Sequence, residues 1–318
     1  MDFNEIHNEG CHKCSNKYSR EYNPSNGLCA VTKSVIDGLP VRCVGEWGKH
    51  KITFLSRYID IVGISMKNKW QGGVNYIKVC SGPGRSIDRA TGREFDGSPL
   101  AVLKTKGAGE FASFLFIDYD FEVVDSLKRR ISSSTEISDN LKRKVHVFQG
   151  DYKKPGELIS QINRFVSRSS LKVLFIDPTD ISVPWETIRM ISEMDGKVDF
   201  IINEAIFTDF NRNSTVPLNV EDSRVAVKWE TALGIPGFFK SPEYIELAQK
   251  RDYQAMRQLF HGKYIEQLNT LGFVYCAEKN VSGFYYLVFA SRNERGLDFW
   301  KKACRRDGSG QGEFDFGD

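Results

Sequence analysis

The chain has 318 residues, with 44 Lys plus Arg against 41 Asp plus Glu, a formal net charge of +3. Hydrophobic residues make up 41% and charged residues 27%, the balance of a globular protein with a sizeable core and not of a fibrous or disordered chain. The near-neutral balance provides no global basic field, so any nucleic-acid contact must be a local patch.

The first twenty residues lack an apolar run of signal-peptide type, and the longest apolar stretches are strand-sized, too short to span a membrane. The expectation is a cytoplasmic protein. In that reducing setting its seven cysteines serve burial, metal binding or redox chemistry and not a disulfide framework.

Residues 1–46 form a Cys-rich arm with Cys11, Cys14, Cys29 and Cys43 and little apolar periodicity. One Cys-x2-Cys knuckle plus two separated thiols is a candidate tetrahedral zinc site. The rival reading is a loosely ordered arm. From Trp47, apolar Ile52, Leu55, Ile59, Val62 and Met66 recur at helical spacing, and Gly72-Gly73 mark the stop.

Short apolar runs then alternate with amphipathic stretches. The runs are 74–80, 114–118, 145–148, 172–177 and 198–203, with helical segments at 123–131 and 158–166 among the connections. This is the alternation of a parallel sheet covered by helices. Residues 207 to about 270 read as a helical insertion, with helices over 223–233 and 242–268. Runs 273–277 and 284–290 then read as a terminal antiparallel hairpin. Seven strands in this order predict a class I SAM-dependent methyltransferase-like, Rossmann-like α/β sheet, where SAM is S-adenosylmethionine. The predicted divisions are the arm 1–46, a methyltransferase-like domain 47–293, and a C-terminal helix with a flexible tail, 294–318.

The first strand ends in Cys80-Ser81-Gly82-Pro83-Gly84, a turn that lets a ligand approach the backbone. The third glycine of the dinucleotide fingerprint is absent. Asp118 ends the second strand, where an acid can accept both ribose hydroxyls. Asp151 follows the third strand and could accept an adenine amino group. Singly, each acid reads as well as a turn or cap residue; jointly, with Cys80, Gly82 and Gly84, they outline a SAM site at the carboxyl edge of the sheet. Asp177-Pro178 ends the fourth strand and resembles the start of the Asp-Pro-Pro-Tyr element that holds an amine for methylation, although the stacking aromatic is missing. A strand-ending turn is the competing reading. The long excursion 81–97 carries Arg85, Arg89 and Arg93, and Arg212 lies in the insertion; these could contact phosphates, or the loop could pair its arginines with its own acids. Ser98-Pro99 reads as the cap and first turn of the following helix.

Taken together, Cys80 to Arg85 through Asp96-Gly97-Ser98-Pro99, Phe116-Ile117-Asp118, Asp177-Pro178 with Val183-Pro184-Trp185-Glu186, Asp209-Phe210-Asn211-Arg212-Asn213, Phe299-Trp300 with Gly310-Gln311-Gly312, and Val44-Gly45-Glu46-Trp47 make the chain similar to the three-Cys-motif partner proteins (TcmP). The resemblance implies a SAM-dependent methyltransferase-like fold of bacterial or archaeal origin and a radical-SAM-like three-Cys-motif protein as partner. One departure is Lys78, where that family often has an acid that helps hold the SAM amino group. Two functions are expected to compete: methyl transfer to an amino group on nucleic acid, and a non-catalytic SAM-fold module that partners another protein or recruits nucleic acid.

Overall fold

The computed structural model describes residues 5–13, 23, 26–219 and 223–305. Its strands are β1 (Ile6–His7), β2 (Arg42–Val44), β3 (Val74–Val79), β4 (Arg85–Asp88), β5 (Arg93–Asp96), β6 (Ser113–Asp118), β7 (Val145–Gln149), β8 (Leu171–Ile176), β9 (Lys197–Glu204), β10 (Tyr275–Val281) and β11 (Tyr285–Ser291).

Seven of them form one sheet in the order β10-β11-β9-β8-β3-β6-β7. The pairs from β9 to β7 are parallel, and β11 runs antiparallel to both β9 and β10. A central parallel block with a reversed hairpin at one edge is the class I methyltransferase arrangement. Strands β3, β6 and β8 are buried at every position, which is why they read as continuous apolar runs and not as alternations.

Alternation along the strands divides the core between two faces. Ile77, Val79, Leu115, Ile117, Leu174 and Ile176 meet the helices Pro155–Ile162 and Trp185–Ser192 and the insertion. On the opposite face, Tyr76, Phe114, Phe116, Val173 and Phe175 meet the helix Trp47–Met66 through Phe54, Leu55 and Tyr58. Two residues past the end of that helix, the chain turns at Asn68, whose φ of 58° lies in the left-handed region that Asn tolerates better than most residues.

Several local expectations shift. The stretch 242–268 is two helices, Pro242–Gln249 and Tyr253–Thr270, parted at Arg251 (φ 55°). The terminal hairpin is longer than its apolar run suggests, because β10 continues through polar residues to Val281 and turns at Ser282 and Gly283. Gly97, not Ser98, is the cap of helix Ser98–Leu103.

The largest correction concerns the excursion 81–97. It is not an open loop. β4 and β5 make a hairpin that joins β1 and β2 in a four-stranded sheet of order β1-β5-β4-β2. The arm and the excursion therefore fold on each other. Buried Glu94 is the hub: its carboxylate accepts from Asn8 Nδ2 (2.5 Å), Ser34 Oγ (2.6 Å) and the Val35 amide (2.8 Å). Charge-assisted bonds of this kind give the arm an ordering device that does not depend on apolar burial. The tail beyond 305 lies outside the described residues.

Candidate functional site

The carboxyl ends of β3, β6, β7, β8 and β9 form one edge, and the connections leave it in opposite directions on either side of β3. Sheets of this type bind ligands in the crevice at such a switch point. β3 feeds a turn in which Cys80, Gly82 and Gly84 all have positive φ (59°, 73° and 90°). Gly84 allows close packing as well: a Cβ there would sit 2.8 Å from Leu127 Cδ1. Cys80 is a strained position for a residue with a side chain. Burial and the nearby Asp118 charge push its thiol well above the usual range.

Asp118 ends β6 beside this turn, and its Oδ2 accepts the Gly82 amide at 2.8 Å. Its backbone carbonyl accepts from Gly150 (2.9 Å), which brings Asp151 alongside. Asp151 Oδ1 caps a local turn through the Lys153 amide (2.8 Å). Arg130, 4% exposed, steadies the glycine turn. It donates to the Pro83 and Pro40 carbonyls, both at 2.7 Å, and pairs with Asp37 at 2.8 Å.

Two arginines near the turn have unused donors. Arg42 Nε and Arg85 Nε and Nη1 are buried without a hydrogen-bond partner. A Cβ built on Gly82 would lie 3.9 Å from Arg42 Nη1, and Arg85 Nη2 pairs with Asp96 at 3.2 Å. Buried donors of this kind cost free energy unless a ligand or water meets them.

At the end of β8, Asp177 sits in a dense ionic cluster. Lys51 Nζ reaches its Oδ1 at 2.6 Å, Lys78 Nζ its Oδ2 at 2.7 Å, and Asn203 Nδ2 its Oδ1 at 3.1 Å. Lys78 is fully buried and lies over the Phe175 ring at 4.2 Å. Burial pulls its ammonium down to about 8, with Asp177 opposing and Lys51 adding to the fall. Burial alone would raise the Asp177 carboxyl; the charges of Lys51 and Lys78 hold it below the ordinary range. Perturbed ionisable groups in a crevice mark a candidate functional site, yet these Asp177 oxygens are already occupied by the chain's own donors.

Beyond Asp177, Asn203 and Glu204 close β9. Glu204 Oε2 bonds His261 Nδ1 of the insertion at 2.6 Å. Lys51, Asn203, Glu204 and His261 escape a sequence reading because their partners lie 26 to 126 residues away in no recognisable spacing. The one available signal was Asn203-Glu204 at the end of the fifth strand run.

The structure thus gathers Cys80, Gly82, Gly84, Asp118, Asp151, Asp177 and Pro178 at one edge. The arginines are placed differently. Arg85 pairs with Asp96, Arg89 stacks on Trp47 at 4.7 Å, and Arg93 faces Glu5 at 3.6 Å. The side chain of Arg212 lies outside the described residues. Cys11 belongs to a short helical turn, Cys29 pairs its amide with the Val41 carbonyl, and Cys43 is in β2; Cys14 lies outside the described residues. Among the described residues no group of three or more His, Cys, Asp or Glu could hold a metal ion, so the expected zinc site has no support there. Among them, too, no helix is long and apolar enough to cross a membrane.

No known family profile matches the chain, and no curated protein matches it. Solved structures do. The DszA carbon methyltransferase is 13% identical, with 73% of this chain and 50% of that one covered and a TM-score of 0.40. The O-methyltransferase from Bacillus cereus in complex with SAH is 13% identical, covering 74% and 80%, at 0.38. A putative S-adenosyl-L-methionine-dependent methyltransferase from Methanococcus maripaludis is 13% identical, covering 79% and 95%, at 0.33. The chain spans about half the length of the DszA protein. These likenesses are distant; the fold assignment stands on the strand order within this chain.

Proposed function

We propose that this chain is a SAM-dependent methyltransferase that acts on a nitrogen acceptor. The observation that carries the reading is Asp118 beside the glycine turn, at the switch point of the class I sheet. The residues fit the cofactor. Asp118 would take the ribose hydroxyls, Asp151 the adenine amino group, and the turn at Cys80, Gly82 and Gly84 the chain between them. The unused donors of Arg42 and Arg85 suit a carboxylate. When bound, SAM supplies a methyl group already activated on a sulfonium, so the protein's task is positioning. Asn203 and Asp177-Pro178 stand at the acceptor side of the same edge. Asp177 is best read as a positioning group, since it orients Lys51, Lys78 and Asn203.

The test is transfer from methyl-labelled SAM to mixtures of amines, DNA, RNA and protein. Label in any nitrogen acceptor, lost on Asp118→Ala, supports the reading; label only on carbon or oxygen contradicts it.

The buried Lys78–Asp177 pair favours a second reading. It places a cation where the resembling family often has an acid for the SAM ammonium, as expected of a non-catalytic SAM-fold module. Partnership with a three-Cys-motif, radical-SAM-like protein and recruitment of nucleic acid both remain proposals of this second kind. The internal pairing of Arg85, Arg89 and Arg93 gives nucleic acid less support than the sequence did.

A further inference from the structure

We propose that Arg42 anchors the α-carboxylate of the cofactor, so that the chain selects its nucleoside ligand by that carboxylate and not by its ammonium. The assignment deepens the reading above and rests on it for the identity of the ligand. Arg42 lies outside the seven-stranded sheet, and the small sheet is what delivers it. β4 begins at Arg85, directly after the glycine turn, and β2 pairs with it in parallel, with Arg42 opposite Ser86. The arm thereby contributes a side chain to the cofactor crevice.

Two observations put its guanidinium on the turn. A Cβ built on Gly82 would lie 3.9 Å from Nη1. Burial raises the Cys80 thiol, and Arg42 is near enough for its charge to oppose that rise. The group is held in place but not satisfied. Nη2 donates to the Asn26 carbonyl at 3.3 Å, and Gly27 packs beside it, where a Cβ would lie 3.6 Å from Nε. Nε itself is buried without a partner. Arg42 is partly buried, and among the described residues no carboxylate pairs with it; an arginine drawn out of water normally has such a partner. Arg130 is the contrast on the same turn, since Asp37 and the Leu39, Pro40 and Pro83 carbonyls employ it fully.

The acids of the same edge are already engaged. Lys51, Lys78 and Asn203 take both oxygens of Asp177. The Gly82 amide takes Asp118 Oδ2, and the Lys153 amide takes Asp151 Oδ1. A ligand ammonium brought to this edge meets acids that the chain itself neutralises or hydrogen-bonds. A ligand carboxylate meets a guanidinium with open donors, and the two match through charge-assisted hydrogen bonds. A nucleotide phosphate shares that chemistry, so the experiment carries both anions.

The experiment is calorimetric titration of the full chain with S-adenosylhomocysteine (SAH), with deamino-SAH, which lacks only the amino group, with decarboxy-SAH, which lacks only the carboxyl group, and with AMP. We expect wild type to bind SAH and deamino-SAH alike, and decarboxy-SAH about ten- to a hundredfold more weakly, the scale of a bond to a charged group. Arg42→Ala should lower SAH and deamino-SAH to the decarboxy-SAH level and leave decarboxy-SAH as it was. Circular dichroism establishes folding, and Arg42→Gln, closer in size, reads the same comparison if the alanine variant does not fold. Equal losses for all three SAH ligands mean that Arg42 serves only the fold, and they overturn the proposal. So does a wild type that binds decarboxy-SAH as tightly as SAH, or AMP more tightly than deamino-SAH. SAH binding indifferent to Arg42 overturns this assignment and leaves the methyltransferase reading standing. Deamino-SAH binding that depends on Arg42, without binding of SAH or SAM, does the reverse. A wild type that binds none of these ligands removes both.

Discussion

Replacing Lys78 by Met should destabilise the fold by about 3 kcal/mol. Asp177 is held by two ammoniums, at 2.6 Å from Lys51 and 2.7 Å from Lys78, and by Asn203 at 3.1 Å. Removing one partner of a buried ion pair costs about 3–5 kcal/mol, because the other charge is left uncompensated in a poor solvent. Lys51 and Asn203 stay behind in Lys78→Met, so the lower end applies. Asp177→Asn is the harsher change. It leaves Lys78, fully buried, facing Lys51 without an anion, and should cost about 4–5 kcal/mol. The double variant removes both members, so its loss should fall short of the sum by about 2 kcal/mol, within the range seen for coupled contacts. Urea denaturation at pH 7 followed by circular dichroism gives all three values. Losses under about 1 kcal/mol that add within about 0.5 kcal/mol would refute the cluster as an energetic unit.

Glu94 makes a prediction for the arm. Glu94→Ala removes the acceptor of Asn8, Ser34 and the Val35 amide, bonds to a charged group that contribute about 1.5–3 kcal/mol each. The Val35 amide should then exchange with solvent far faster while the seven-stranded sheet stays protected; uniform protection would contradict the hub. A second prediction concerns pH. Asp199 is buried and accepts from Ser291 Oγ at 2.6 Å, and burial raises its carboxyl from 3.8 to about 6. Below 3.8 both states hold the proton. Between 3.8 and 6 the unfolded chain releases it first, so this group's contribution is lost as pH rises, by on the order of 3 kcal/mol above 6. Asp199→Asn should therefore gain stability relative to the wild type as pH rises from about 4 to above 6. A difference between the two that does not change with pH would contradict the assignment.

The large sheet was legible because its central strands are buried on both faces, as Val74–Val79 and Leu171–Ile176 show; such runs announce themselves without alternation. The small sheet was not. Arg85–Asp88 and Arg93–Asp96 are four residues each and rich in charge, and what makes them strands is pairing with each other and with Arg42–Val44, 44 residues upstream of the first, and Ile6–His7, far upstream of the second. Lys78 read as a lost acid; only the structure shows its charge returned by Asp177. Gly82 and Asp118 could be found because one lies in the turn after the first central strand and the other ends the next, fixed places in the fold. Glu204 and His261 could not, since the insertion that brings them together has no pattern linking their positions.

The central claim is that the Asp118 crevice binds SAM, and calorimetric titration of the purified chain with SAM and S-adenosylhomocysteine tests it most directly. The account predicts binding of one molecule per chain. It also predicts a loss of about 1.5–3 kcal/mol in Asp118→Ala. Asp118→Asn, which keeps an acceptor for the Gly82 amide, should fall between the two. An Asp118→Ala affinity equal to that of the wild type, or a wild-type chain that binds neither molecule, would contradict it.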